Sequence, residues 1–163
     1  MNLFKKVEKD NDLKEIGLVL NKSHLTIANE FGFTKETNPT NNAFIDPDTL
    51  RDQLNKGIEL YQMTVNNNIV GCIAIEKSHK EAGTYYIEKV SVLPEHRHNG
   101  YGIKLMEYAS DLIKGRGGKV IAIALIEENT RLKEWYRQQG FNETAIKKFD
   151  HLPFTVCFMN KNI

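Results

Sequence analysis

A chain of 163 residues, 40% hydrophobic and 26% charged, has the size and composition of one folded domain with its own core, spanning residues 1–163. This excludes a disordered or fibrous chain. With 22 basic against 21 acidic side chains the net charge is +1, so no overall field draws it to nucleic acid or to a membrane surface, and any anion recognition must be local. Cys72 and Cys157 lie in apolar runs without a C-x-x-C partner and read as buried thiols rather than a disulfide. No apolar run approaches the roughly 20 residues that span a bilayer, and nothing behind Met1 resembles a signal peptide. A soluble, cytoplasmic protein is expected.

In chain order, Asp10 and Asp12 are placed to cap a helix running to about residue 29, with Leu13, Ile16, Leu20, Leu25 and Ile27 among its apolar positions. Residues 31–46 form a long polar stretch, either a functional loop or a plain connector. Asp46-Pro47 opens a short helix to about residue 56, an N-cap followed by proline in the first turn. Extended runs at 58–65 and 69–75 flank Asn66-Asn67-Asn68, a hairpin signal. A third extended run covers 84–93. Residues 100–115 are helical, with Leu105, Met106, Ala109, Leu112 and Ile113 on one face. The continuous apolar run at 119–126 reads as a central strand covered on both faces. Residues 130–139 are helical, Gly140 suits the position after the helix end, and 141–149 and 154–159 are closing strands. The order is roughly β-α-α-β-β-β-α-β-α-β-β, an α/β domain on a mixed sheet.

The most informative stretch is Val90-Ser91-Val92-Leu93-Pro94-Glu95-His96-Arg97-His98-Asn99-Gly100-Tyr101-Gly102. It runs from a strand through a glycine-bearing turn into a helix. The first turn of a helix has backbone N–H groups without partners and a positive dipole end, which suits phosphate. Gly100 and Gly102 lack a Cβ, so a pyrophosphate can approach the backbone. Arg97, with His96, His98 and Lys104 nearby, adds local positive charge. Leu105 stands where a G-x-G-x-x-G motif needs its third glycine, and Gly118-Lys119 is followed by valine, so neither a dinucleotide fingerprint nor a Walker loop is present. His96 and His98 have no third metal ligand beside them, and no metal is expected.

On these residues the chain resembles the GNAT superfamily of acyl-CoA-dependent N-acetyltransferases. The signature Arg/Gln-x-x-Gly-x-Gly/Ala is matched by Arg97-His98-Asn99-Gly100-Tyr101-Gly102, after Val90-Ser91-Val92-Leu93-Pro94. A second signature, Asn-x-x-Ala-x-x-x-Tyr-x-x-x-Gly-Phe, is met by Asn129, Tyr136, Gly140 and Phe141, with Leu132 replacing the usual alanine. The resemblance implies a mostly antiparallel mixed sheet of about seven strands flanked by about four helices. It implies a V-shaped opening in which the pantetheine arm of acetyl-CoA pairs with backbone near Val90 and Val92. It further implies that the pyrophosphate rests on residues 97–102 and that Asn129 contacts the cofactor.

Amine acylation needs a base for the incoming ammonium, donors for the oxyanion (backbone N–H near Val92) and a proton for the departing thiolate. Glu88 is the candidate base: strand alternation puts Tyr86, Glu88, Val90 and Val92 on one face, and relatives in the family carry glutamate there, often acting through water. An ion-pairing glutamate is the alternative. Tyr136 is the candidate acid by its match to the second signature, although Leu132, Trp135, Tyr136 and Gln139 would also form a packing stripe. Cys157 reads as core. Phe31, Phe33 and Phe44 line an acceptor pocket or anchor the loop. Glu30, Glu36, Asp46 and Asp48 would suit a cationic acceptor. The expected partner is an amine-bearing small molecule or peptide, with no nucleic acid or membrane; a homodimer is open. A catalytically silent acyl-CoA sensor is the alternative function.

Overall fold

The computed structural model describes residues 2–163. Its strands form one seven-stranded sheet in the order β1-β2-β3-β4-β5-β7-β6. The elements are β1 (Asn2–Val7), α1 (Lys14–Glu30), α2 (Pro47–Asn55), β2 (Glu59–Val65), β3 (Asn68–Lys77), β4 (Thr84–Val92), α3 (Tyr101–Gly115), β5 (Val120–Ile126), α4 (Thr130–Gln138), β6 (Asn142–Lys148) and β7 (Thr155–Asn162). All neighbours pair antiparallel except β4 and β5, which run parallel. The fold class, element order and approximate element counts agree with those expected from sequence.

Local chemistry accounts for most boundaries. Asp46 caps α2 by accepting from the Thr49 N–H at 2.7 Å, with Pro47 at the first helical position, where a missing N–H costs nothing. Asp12 accepts from the Lys14 N–H at 3.0 Å at the start of α1. The β2–β3 turn is made by Asn66 and Asn67, both at positive φ (50° and 66°), the two-residue hairpin that matches strand twist and suits asparagine. Strand β7 runs on past its apolar stretch, because Asn160 and Asn162 pair with Ala122 and Val120. Those polar residues carry no strand signal of their own.

The core lies on both faces. On one, Leu105, Met106, Ala109 and Ile113 of α3 and Tyr136 of α4 pack on Ile73, Ile75, Tyr85, Ile87, Ile121, Ile123, Cys157 and Met159. On the other, Leu13, Ile16, Val19 and Leu20 at and within α1 join Leu50 of α2 over Leu60, Cys72 and Ala74. Each fully buried aliphatic side chain contributes roughly 1.5–3 kcal/mol, so these two layers are what fix α1 and α3 against the sheet.

Strand β5 departs from expectation. It is covered on one face and open on the other, where Ala124 is exposed. Helix α1 packs mainly on β3 and β4. A run such as Val-Ile-Ala-Ile-Ala-Leu-Ile is apolar at every position. Its alanines are small enough to stand at a half-open face, which apolarity alone does not reveal.

The 31–46 segment is anchored. Phe33 and Ala43 are buried with Ala28, and Phe31, Phe44, Ile126 and Phe154 pack around them. Asn21 of α1 donates to the carbonyls of Asn42 and Ile45, both at 3.0 Å. The loop is therefore held across the end of β5.

Candidate active site

Strands β4 and β5 pair at Thr84↔Val120, Tyr85↔Ile121 and Tyr86↔Ala122. Both continue beyond that point, to Val92 and Ile126, without further pairing to each other. The middle of the sheet thus parts, and β4 presents unpaired backbone toward β5 over its last residues. Buried backbone groups need partners, so such an edge is suited to an extended ligand that hydrogen-bonds like an added strand.

A bulge in β4 shapes this edge. Opposite β3, Cys72 pairs with Ser91 but Ala74 pairs with Glu88, so β4 holds one extra residue. Lys89 takes a left-handed conformation with φ 55°, which costs a non-glycine residue on the order of 1 kcal/mol. The extra residue switches the alternation. Val90 and Val92 share the α3 side of the sheet with Tyr85 and Ile87, whereas Glu88 shares the α1 side with Ala74. The sequence expectation that Tyr86, Glu88, Val90 and Val92 share one face is therefore incorrect. An uninterrupted period of two fails wherever a residue is inserted into the ladder.

The Glu88 carboxyl is mostly buried, and its Oε1 has no hydrogen-bond partner among the described residues. Its pKa is raised, first by burial and further by Glu76, while Lys89 pulls the other way. Glu76 lies on the same face of β3, next along the ladder on that face and opposite Tyr86. Two carboxylates pair only through a shared proton, so with both ionised the Oε1 atom stays orphaned. A carboxyl held this way is a better base than a solvated one.

On the opposite face, Tyr136 is 6% exposed and stands edge-on to Trp135 and Phe141. Burial alone pushes its phenol upward, so it stays protonated at any working pH and can serve as a proton donor. Helix α4 is held by a buried ammonium that the sequence reading did not single out. Lys133 lies 2.6 Å from Glu127 and 2.8 Å from Glu143, bridging the end of β5 to β6. Glu127, Glu143 and Cys157 bring their ligand atoms within 4.8 Å of one another, but Lys133 supplies the cation these acids need. The Cys157 thiol is pushed up to about 11 by burial, and that of Cys72 to about 12, which suits core residues.

The turn before α3 carries two left-handed residues, His98 (φ 63°) and Gly100 (φ 77°), and no side chain caps the helix. The first N–H groups of α3 therefore remain free for an anion. Two of these residues make contacts that the sequence does not reveal. The Arg97 guanidinium turns onto α1, donating to Ser23 O at 2.8 Å, Thr26 Oγ1 at 3.0 Å and Val92 O at 3.3 Å. It ties the end of β4 to α1 rather than projecting into the turn. Gly102 also packs closely, since a Cβ there would lie 3.1 Å from Trp135 Cζ2. Asn129 uses its Oδ1 to cap α4, accepting from Leu132 N at 3.2 Å. Asn99 folds its amide onto the carbonyls of His96 and Arg97, and Tyr101 lies partly buried against the α3-side core with Lys104 over its ring.

Three of the four acidic residues expected near the acceptor are already engaged. Glu30 binds Arg131 at 2.6 Å, Asp46 caps α2, and Asp48 pairs with Arg51 at 3.3 Å. What the sequence reading missed on the α1 side is a polar cluster of Asn42, Lys89, Ser91 and His24. No motif spans these residues; only the packing of α1 and its following loop on the bulge brings them together.

A mixed sheet that parts between its two parallel strands, beside an uncapped glycine-led helix, is the architecture of acyl-CoA-dependent N-acyltransferases. Residues 27–141 match the Acetyltransferase (GNAT) family, and the chain belongs to that family. An amino-acid acetyltransferase of Pseudomonas paraeruginosa is 28% identical over 100 residues, which is 60% of this chain but 22% of that protein. The chain thus spans under a quarter of the curated relatives it matches. Among solved structures, the ribosomal-protein-S18-alanine N-acetyltransferase of Escherichia coli aligns with a TM-score of 0.77 at 17% identity, over 100% of this chain and 94% of that one. A GNAT family acetyltransferase of Elizabethkingia anophelis with acetyl-CoA bound aligns with a TM-score of 0.72 at 18% identity, over 99% and 98%.

Proposed function

We propose that this protein transfers an acetyl group from acetyl-CoA to a primary amine by direct attack in a ternary complex. The observation that carries the reading is the parted sheet: β4 leaves β5 after Tyr86 with its residues 87–92 facing the gap. The pantetheine amides would pair with backbone near Val90 and Val92. The pyrophosphate would rest on the N–H groups of residues 98–102, with Arg97 fixing that turn and Asn129 flanking it. The acetyl-CoA-bound relative of the same fold supports this donor.

Transfer then divides between the two faces. Glu88, on the α1 side, would take the ammonium proton directly or through water, exposing the nitrogen lone pair. Backbone N–H near Val92 would hold the oxyanion of the tetrahedral adduct. Tyr136, on the α3 side, would protonate or hydrogen-bond the departing thiolate. An amine acceptor would enter beside residues 31–46, across the gap from the helix that holds the donor. By name, the relatives above act on amino acids and on an alanine of ribosomal protein S18, and these head the list of acceptors to try.

The test is thiol release from acetyl-CoA against amino acids, alanine-initiated peptides, polyamines and aminoglycosides. Turnover with one class establishes the enzyme and its acceptor. If no acceptor supports turnover while acetyl-CoA raises Tm, the silent sensor reading replaces this one.

A further inference from the structure

The bulge at Lys89 has no glycine to make its left-handed angle easy, so the conformation must be held from outside. Two sets of contacts hold it. The Ser91 hydroxyl, on a residue 2% exposed, donates to the Lys89 carbonyl at 2.9 Å, and the Cys72 thiol approaches the same carbonyl at 3.8 Å. The Lys89 ammonium donates to Asn42 Oδ1 at 2.7 Å, and Asn42 is itself held by Asn21 of α1.

His24 completes the first set. Its Nε2 lies 2.9 Å from Ser91 Oγ. A hydroxyl has one proton, and that of Ser91 is committed to the Lys89 carbonyl, so the imidazole must be the donor in this contact. The ring is therefore the Nε2–H tautomer, and it fixes the rotor of Ser91 as well as the place of α1. Arg97 grips the neighbouring Ser23 carbonyl and Thr26 hydroxyl, so α1 and the last turn of β4 are joined on both sides of His24.

We infer that His24, acting through Ser91, is a positioning residue for the parted edge of β4: imidazole N–H to serine hydroxyl, hydroxyl to the Lys89 carbonyl, and carbonyl to the turn that delivers Val90 and Val92 to the gap. The inference rests on the proposal that this edge receives the acetyl-CoA arm. His24 touches neither donor nor acceptor. It sets the direction of the backbone that does. Because Glu88 stands on the other side of the same bulge, the relay also fixes the base relative to the thioester.

Four full-length proteins test it: wild type, Ser91→Ala, His24→Leu and His24→Gln, the last keeping an N–H at the reach of Nε2. Amide hydrogen exchange of the peptide covering residues 86–93, acetyl-CoA affinity by calorimetry and Tm are measured on each, well below Tm. Ser91→Ala and His24→Leu should speed exchange in that peptide and weaken acetyl-CoA by about tenfold, the factor that accompanies loss of one buried hydrogen bond. His24→Gln should remain within about twofold of wild type on both. If Ser91→Ala lowers Tm but leaves exchange at 86–93 and acetyl-CoA affinity as in wild type, the contact is packing only and the inference is overturned. Defects in His24→Gln equal to those of His24→Leu would overturn it as well. If His24→Leu does not fold, Ser91→Ala and His24→Gln decide. Wild type that fails to bind acetyl-CoA removes the donor proposal instead, and exchange alone then decides the relay.

Discussion

Lowering the pH should destabilise this protein through His24 in particular. The ring sits under α1, where burial first, and the charges of Lys89 and Arg97 next, hold its pKa down to about 4 from 6.5. A histidine depressed in the native state folds neutral. Its contribution is intact above the unfolded pKa and is lost as pH falls toward 4, because the unfolded chain takes up a proton that the native one refuses. For a shift of this size the loss between pH 7.5 and pH 5 is about 2 kcal/mol, an upper figure because the residue keeps some surface at the edge of the helix. His24→Gln removes the titration while keeping a donor for Ser91. Urea unfolding of both proteins at pH 7.5 and pH 5 separates His24 from the carboxylates, which titrate alike in the two. Wild type should lose about 2 kcal/mol more than His24→Gln over that interval. Equal losses would show that the imidazole is protonated in the native state or open to water.

Glu88→Gln should lower turnover by about 100-fold at neutral pH and leave acetyl-CoA affinity unchanged. In wild type the rate should climb as pH rises through the raised pKa of Glu88, and that limb should vanish from the variant's pH–rate profile; a profile like wild type's would remove Glu88 as the base. Tyr136→Phe should slow turnover by ~10–100-fold with little change in Tm, since the phenyl ring keeps its place between Trp135 and Phe141; an unaltered rate would leave Tyr136 as a packing residue. Gly102→Ala should cost about 1–2 kcal/mol of stability, because the new methyl meets Trp135. Trp135 is the single tryptophan, so a shift in intrinsic fluorescence reports that contact directly, and an unshifted spectrum with unchanged stability would show that the two helices separate freely.

Much of this protein was legible in its sequence because the signals are local. The Asp46-Pro47 start, the Asn66-Asn67 turn, the apolar face of α3 and the run of β5 each depend on residues within a few positions of one another. The spacing from Arg97 to Gly102 and from Asn129 to Phe141 was enough to indicate the family. Sequence alone did not show which face Glu88 occupies, because the bulge at Lys89 is an insertion relative to β3 and exists only when the two strands are in register. Nor did it show that Arg97 turns onto α1, that Gly102 makes room for Trp135, or that Lys133 sits between Glu127 and Glu143, residues ten apart on one side and six on the other. Glu30, Asp46 and Asp48 looked available in sequence and are engaged in the fold. Periodicity, capping and turns are properties of neighbouring residues and are written into the chain. The orientation of the candidate catalytic groups, and the partners that hold them, come from α1, β3 and β4 meeting in space, and only the tertiary structure decides that.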